Sequence, residues 1–473
     1  MSAKSATVIV KRLQSPHQSE PFTQYLPLSK EMKEEAFTAV AEILDAAGGK
    51  ALLKSSGDVY IKPNAIDSKP YSHTRVEVVE AVIKYWKENG ARNIYLFENC
   101  TQSNFTRMVF ALTGYSDVCK KYGVREIYLD EEKNEVVKFK NDKMKNEAEN
   151  DYTETVFRIP KFVASNLIDR ASENLYINLP KLKTHSMAGV TLGIKNQWAF
   201  PQPADRRADH NYNLASKLAD VLGHIRPDFT LIEGVEGTIH GHYPVTAFAD
   251  KCVLPFKTLI GSTNVLAADL MGLKLFGLTP DEDARHIKIA LDRGYGNGVE
   301  SVEDIEIIGA DDFVPPNQPL PWDLYPQFPP DVTIIKGTER TCREGCQNNP
   351  LTLLQILAYD YGGKGGFTIV MGKGHSDETI DAIQGRVLVV GKCAIKEAGE
   401  SLVSRLGKKN VYFSGHCNDL CATTNALCHL MKVNPLVMAP MPFLKSIKLL
   451  LQAKINGTQA RIPFFFAHML KVV

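Results

Sequence analysis

Short β-branched runs alternate with stretches of helical period through the first two-thirds of the chain, which restricts it to folds whose strands cross over through helices. The segment 58–64 (DVYIKPN) reads as a strand leaving into a loop at Pro63, and 75–87 places Val76, Val79, Val82, Ile83 and Trp86 on one helix face. Asn89-Gly90 ends that helix and 94–97 (IYLF) is the next strand, completing a βαβ unit. Strands are expected again at 175–179, 229–232 and 257–260, each running into a loop with Pro, Gly, Ser or Asn. Loops of that kind are where open parallel sheets place ligands. The stretch 131–155, rich in Lys, Glu, Asn and Asp, is expected to be a solvated excursion.

Seven prolines between Val314 and Pro330 interrupt any helix or central strand, as a linker would. Beyond them, 367–371, 386–390 and 410–413 read as three more buried strands. The expected architecture is α/β: a mainly parallel sheet with flanking helices over residues 1–315, a Pro-rich linker at 316–332, and a second, smaller α/β domain over 333–473. A chain of 473 residues fits such a division, at about 150 residues per domain.

Lysine and arginine total 55 against 54 acidic residues, so no global field draws the chain toward nucleic acid, and anion binding must be local. The longest apolar runs fall short of the ~18 residues that a membrane span needs, so no transmembrane segment is expected. The start of the chain already reads as a strand at Val8-Ile9-Val10, and nine cysteines are an odd, ordinary number. Reduced thiols and a cytoplasmic location are the expectation, with homo-oligomerisation left open. The apolar stretch 443–451 with Lys445 and Lys448 reads either as a membrane-surface helix or, preferably, as a helix docked on its domain with lysines reaching water.

The densest chemistry lies in 178–196 (NLPKLKTHSMAGVTLGIKN). Pro180 stops ladder bonding, so Lys181, Lys183, Thr184, His185 and Ser186 are expected on a loop at a strand's C-terminal end. Gly189 and Gly193 permit close backbone approach, and Lys195 and Asn196 follow. Such a set suits a carboxylate or phosphate, and a desolvated lysine can also move a proton. Lys62 and Asn64 leave their strand in the same way and are expected to face the same crevice. Arg206 and His210 sit on a Pro/Gln/Asp-rich loop suited to close as a flap over a bound anion. The string 233–242 (EGVEGTIHGH) offers two carboxylates and two imidazoles among glycines, with Glu233 and His240 the first choices for acid/base work. Asp269 is expected in the first turn of a helix, favoured there by the helix dipole.

The segment 180–196 resembles the hallmark of the domain of unknown function 362 family, and 59–64 (VYIKPN) and 259–277 are similar to that family's pattern in the same order. The family is defined by sequence rather than by an agreed reaction. Many members carry a ferredoxin-like run of closely spaced cysteines, whereas this chain has no C-x₂-C-x₂-C.

The preferred reading is an enzyme with Lys183, His185, Lys195, Glu233 and His240 as catalytic candidates. Lys62, Asn64, Lys181, Thr184, Asn196, Arg206 and His210 are the candidates for binding a small anionic ligand, with proton transfer of an isomerase or racemase kind. The alternative is a metal-handling or redox accessory protein in which Cys342, Cys346, Cys393 and Cys417, helped by His416, hold zinc or an iron–sulfur cluster. A third reading is a ligand-binding protein without chemistry. Gly362–Gly366 and Gly372–Gly374 lack the G-x₄-G-K-[ST] pattern and are read as turn glycines.

Overall fold

A computed structural model of the chain describes residues 4–17, 21–101, 103–140, 154–415, 417, 419–438 and 441–461. The fold is α/β, with a large, mostly parallel sheet flanked by helices and a separate parallel sheet in the C-terminal region. Across the large sheet the strands run Ile305–Ile308, Ala6–Arg12, Thr258–Ser262, Phe229–Thr238, Leu175–Leu179, Asp58–Pro63, Asn93–Glu98 and Arg125–Tyr128. Seven of these share one direction. Thr258–Ser262 is reversed, pairing antiparallel with Ala6–Arg12 on one side and Phe229–Thr238 on the other.

Period-two alternation splits each central strand between two cores. Val59 and Ile61 face the helices Lys30–Ala46 and Val76–Glu88, against which Ile43, Val82 and Trp86 pack. Tyr60 points to the opposite layer, where Leu218 and Val221 of Leu214–His224 and Leu270 and Met271 of Val265–Lys274 close the core. Burial on both faces accounts for the nearly continuous apolar runs of these strands.

The second sheet holds Val332–Lys336, Phe367–Met371, Val387–Val390 and Val411–Ser414, all parallel and in that order. Between the sheets the proline-dense chain is irregular but tied down. The Leu320 amide donates to Phe276 (2.8 Å), the His240 amide to Pro321 (2.8 Å), and Gln355 Nε2 to the carbonyls of Tyr325 and Gln327 (2.6 and 2.9 Å).

Four local expectations are corrected. Instead of a wholly solvated excursion, Asn134–Lys140 and Glu154–Pro160 form an antiparallel ribbon whose Phe139 and Phe157 are buried. Residues 141–153 lie outside the described residues. Lys181–His185 is a strand, not a loop: the Pro180 carbonyl accepts the Glu233 amide (2.8 Å), and the chain continues beside Phe229–Thr238 while Gly189–Thr191 pairs with it antiparallel. Glu233 and Glu236 likewise lie within the long strand Phe229–Thr238, where Gly234 and Gly237 let Leu182 and Phe256 approach the backbone. The expected flap is the helix Pro203–Asp209, with Arg206 buried.

Candidate functional site

The lysines of the central string part company, because alternate residues of Lys181–His185 share a face while the neighbours of each differ. Lys181 donates to Glu233 (2.8 Å) and Glu236 (3.3 Å). Glu233 also accepts the amides of Arg75 (3.0 Å) and Val235 (2.9 Å). Glu236 is gripped by the Arg75 guanidinium through Nε (2.9 and 3.0 Å) and Nη2, and His17 Nε2 lies 2.7 Å away. Arg75 and Lys181 hold the Glu236 carboxyl well below the usual carboxylate range despite its burial. This is a buried, mutually neutralised network. Lys183 donates to the Ser72 carbonyl at 2.7 Å, and burial, with Lys181 and Lys195 nearby, pushes its ammonium well below the ordinary lysine value. Thr184 Oγ1 accepts the Gly241 amide at 3.0 Å.

A second network sits at the C-terminal ends of the central parallel strands. Lys62 Nζ donates to both oxygens of Glu98 (2.8 and 3.0 Å), and Glu98 also accepts the amides of Ala65 (2.9 Å) and Asn99 (2.8 Å). Asn64 Nδ2 donates to Asn196 Oδ1 (2.9 Å), and Asn196 Nδ2 donates to Asn178 Oδ1 (2.8 Å). These bonds fix Asn196, and with it the short helix Gly193–Asn196, over the strand ends.

Above that network lies a polar cavity of about 100 Å³. Of the predicted residues, Asn64, His185, Lys195, Asn196, Arg206 and His210 line it. Glu98, Asn99, Thr191, Trp198 and His242 complete much of the wall. His185 and His242 stack with ring centroids 3.8 Å apart and planes 5° from parallel, and His210 stands 6.4 Å from His185. Burial, then the neighbouring cations, lowers all three imidazoles, His210 to about 3. They are therefore neutral at pH 7: His185 Nδ1 accepts the Met187 amide (3.2 Å), which leaves its Nε2–H as a donor, whereas His210 Nδ1 donates to the Glu344 carbonyl, which leaves its Nε2 as an acceptor.

Arg206 donates to the Cys100 carbonyl (3.0 Å) and to Asn99 Oδ1 (2.8 Å). The Lys195 ammonium has no hydrogen-bond or ion-pair partner among the described residues. Burial, Arg206 and Lys62 lower its ammonium to about 7. Several other wall residues carry buried polar atoms without partners, mainly donors: Asn99 Nδ2, Trp198 Nε1, Arg206 Nε and Asn349 Nδ2, with the hydroxyl of Thr191. Leaving such groups unmatched is costly, about 1–3 kcal/mol each, so a cluster of them marks a place built to meet something else.

Two first choices from sequence lie elsewhere. Glu233 belongs to the Lys181 network and does not line the cavity. His240, at φ 59°, turns outward, with Nδ1 3.1 Å from the Asp323 carbonyl and its ring edge-on to Tyr325. Its near neighbour His242 is the imidazole that enters the site. Asp269 is correctly placed on a helix but lies in its body, where it accepts the amides of Gly193 (2.6 Å) and Ile194 (2.9 Å) and so caps the helix carrying Lys195. Burial raises that carboxyl to about 7.

Glycine is required at the turn that brings the cavity wall round. Gly189 has φ +76°, and a Cβ there would stand 1.9 Å from the Asp283 carbonyl oxygen. Gly189→Ala is expected to cost about 2–4 kcal/mol in urea unfolding, from left-handed backbone and overpacking together. A loss below 0.5 kcal/mol, on the order of an ordinary surface change, would show that the turn simply moves aside.

The cysteine loops do converge: a Cβ on Gly345 would lie 3.3 Å from Cys417 Cβ, and one on Gly391 3.1 Å from Cys346 Cβ. Burial raises the thiols of Cys342 and Cys346, to about 11 and about 12, which disfavours the thiolate that a metal needs. Cys393 is exposed. Among the described residues no group of three or more His, Cys, Asp or Glu side chains is arranged to hold a metal ion. His416 lies outside the described residues.

Comparison with curated proteins finds no match for the chain. The family comparison meets the geometry directly: residues 59–274, which supply Asn64, Glu98, His185, Lys195, Arg206 and His242, match the model described as Domain of unknown function (DUF362), the family this chain resembles.

Proposed function

We propose that the chain is an enzyme that binds a small carboxylate or phosphate between Lys195, Arg206 and the imidazoles of His185 and His242, and exchanges a proton with it through Lys195. The observation that carries this reading is the cavity itself. Among the described residues it gathers two cations and several unpartnered donors, while the one carboxylate lining it, Glu98, is already matched by Lys62 and two amides. Donors held in a water-poor site cost no reorganisation when they meet an oxyanion. A lysine whose ammonium ionises near neutrality can take a proton from carbon next to a carbonyl or carboxylate and return it, with Arg206 and neutral His185 or His242 bonding the oxyanion that forms.

Calorimetric titration with phosphate, acetate and malonate tests the binding half. Affinity is expected to be greatest below pH 7 and to fall by up to tenfold per unit above it, because the protonated ammonium is the form that attracts the anion. Deuterium exchange at the α-carbon of bound carboxylates, read by NMR, tests the chemistry. Binding without exchange would leave a ligand-binding protein, and no binding of any of these anions would end both parts of the reading.

A further inference from the structure

The polar cavity opens onto a much larger one. A space of about 650 Å³ lies between the large sheet's loops, the C-terminal unit and the helix Phe443–Ile455. That volume falls within the roughly 300–1,000 Å³ of sites that hold drug-sized molecules. Its walls are dominated by apolar side chains, among them Phe105, Met108, Leu353, Ile356, Ile447 and Leu450. The two spaces share Ile66, Thr101, Met187, His242, Asn349 and Leu420. The boundary thus passes from imidazole and carboxamide on one side to thioether and aliphatic carbon on the other.

The charged groups on the larger wall are already engaged. Asp67 accepts from Asn104 Nδ2 (3.2 Å) and the Lys69 amide (3.2 Å), while Lys69 Nζ lies 2.5 Å from Asp360. The larger space therefore has little to offer a second ionic group and much to offer hydrocarbon.

We propose that the ligand of this site is an anionic amphiphile: a carboxylate or phosphate head among Lys195, Arg206 and the imidazoles, carrying an apolar tail that passes Met187 into the larger cavity. This rests on the oxyanion reading above and adds the class of molecule. A small head held by a few polar groups fixes position, and the tail supplies area to bury, so affinity comes mainly from the apolar half.

The test is a calorimetric series of unbranched alkanoates and monoalkyl phosphates from two to twelve carbons, below their micelle-forming concentrations, with alkanols of matched length as uncharged probes. In the wild type, affinity is expected to rise about fourfold per added methylene over the middle of the series, as burial of each CH₂ implies. Alkanols should bind at least tenfold more weakly. Leu450→Trp and, independently, Met108→Trp fill the larger chamber where the helix Phe443–Ile455 packs on Thr106–Thr113, and each is expected to flatten the dependence on chain length; circular dichroism confirms that the variant compared is folded. Equal binding of acetate and dodecanoate would overturn the amphiphile while leaving the oxyanion reading intact. Alkanols binding as tightly as alkanoates would break the link between the two cavities. If no anion of any length binds, the oxyanion reading falls and this one falls with it. A stronger series for phosphates than for carboxylates would identify the head group.

Discussion

Replacing Arg75 with methionine is expected to destabilise the protein by about 3–5 kcal/mol at pH 7, a large part of the 5–15 kcal/mol typical of a folded domain. The guanidinium makes three contacts to Glu236, and both side chains are almost wholly buried. Without it, the carboxylate keeps Lys181 and His17 but loses its best-matched partner in a place water does not reach. The dependence on pH has a definite sign. Glu236 ionises well below its usual range in the folded chain, so its contribution is fully present above the unfolded value near 4.3 and is lost as pH falls through the folded value. The cost of Arg75→Met should therefore be greatest near neutrality and shrink in acid. Urea unfolding of Arg75→Met, Glu236→Gln and the double variant measures it, and a single-variant cost under 1 kcal/mol, on the order of a surface ion pair, would refute the account.

Lys195→Met is expected to separate binding from folding in the opposite sense. It removes a cation that burial, Arg206 and Lys62 all disfavour, so the ligand-free variant should unfold no more easily than the wild type at pH 6. Folding lowers this lysine's ionisation, which means that the wild type gains stability as pH rises from about 7 toward the unfolded value near 10.4, a slope the variant lacks. Oxyanion affinity should nevertheless drop about 10- to 100-fold, the worth of one charge-assisted hydrogen bond. A variant that unfolds more readily and still binds phosphate normally would make Lys195 a structural residue.

Much of the architecture was legible because it depends on local pattern. The strand Asp58–Pro63, the helix behind it and the three later C-terminal strands follow from β-branched runs, helical spacing and turn residues, and the structure contains them within a residue or two. The site was legible in part: the loops at strand ends named Asn64, His185, Lys195, Asn196, Arg206 and His210, all on one cavity. What escaped is set by pairing between distant segments. Nothing in Pro180-Lys-Leu-Lys-Thr-His185 distinguishes a basic loop from a buried strand until its acidic partners arrive from Phe229–Thr238. Glu98 and Asn99, at the end of an expected strand, gave the only local signal for the missing wall, since a carboxylate there must face some cation. Trp198 and Thr191 carried no such signal. Glycine spacing in 233–242 pointed to the right string, but only the backbone turn at His240 decides that His242 enters the site and His240 leaves it.

The reversed strand Thr258–Ser262 also dictates the order in which the molecule can be assembled. Ala6–Arg12 precedes the other described strands in the chain, yet among the described residues its neighbours in the sheet are that strand and Ile305–Ile308. Ala6–Arg12 must wait, without these partners, until most of the large sheet has been synthesised, and contacts this distant in sequence form slowly. Two late strands of the large sheet therefore lock Ala6–Arg12 in place. Pulse-labelling of stalled nascent chains should find 6–12 unprotected at every length that ends before 262.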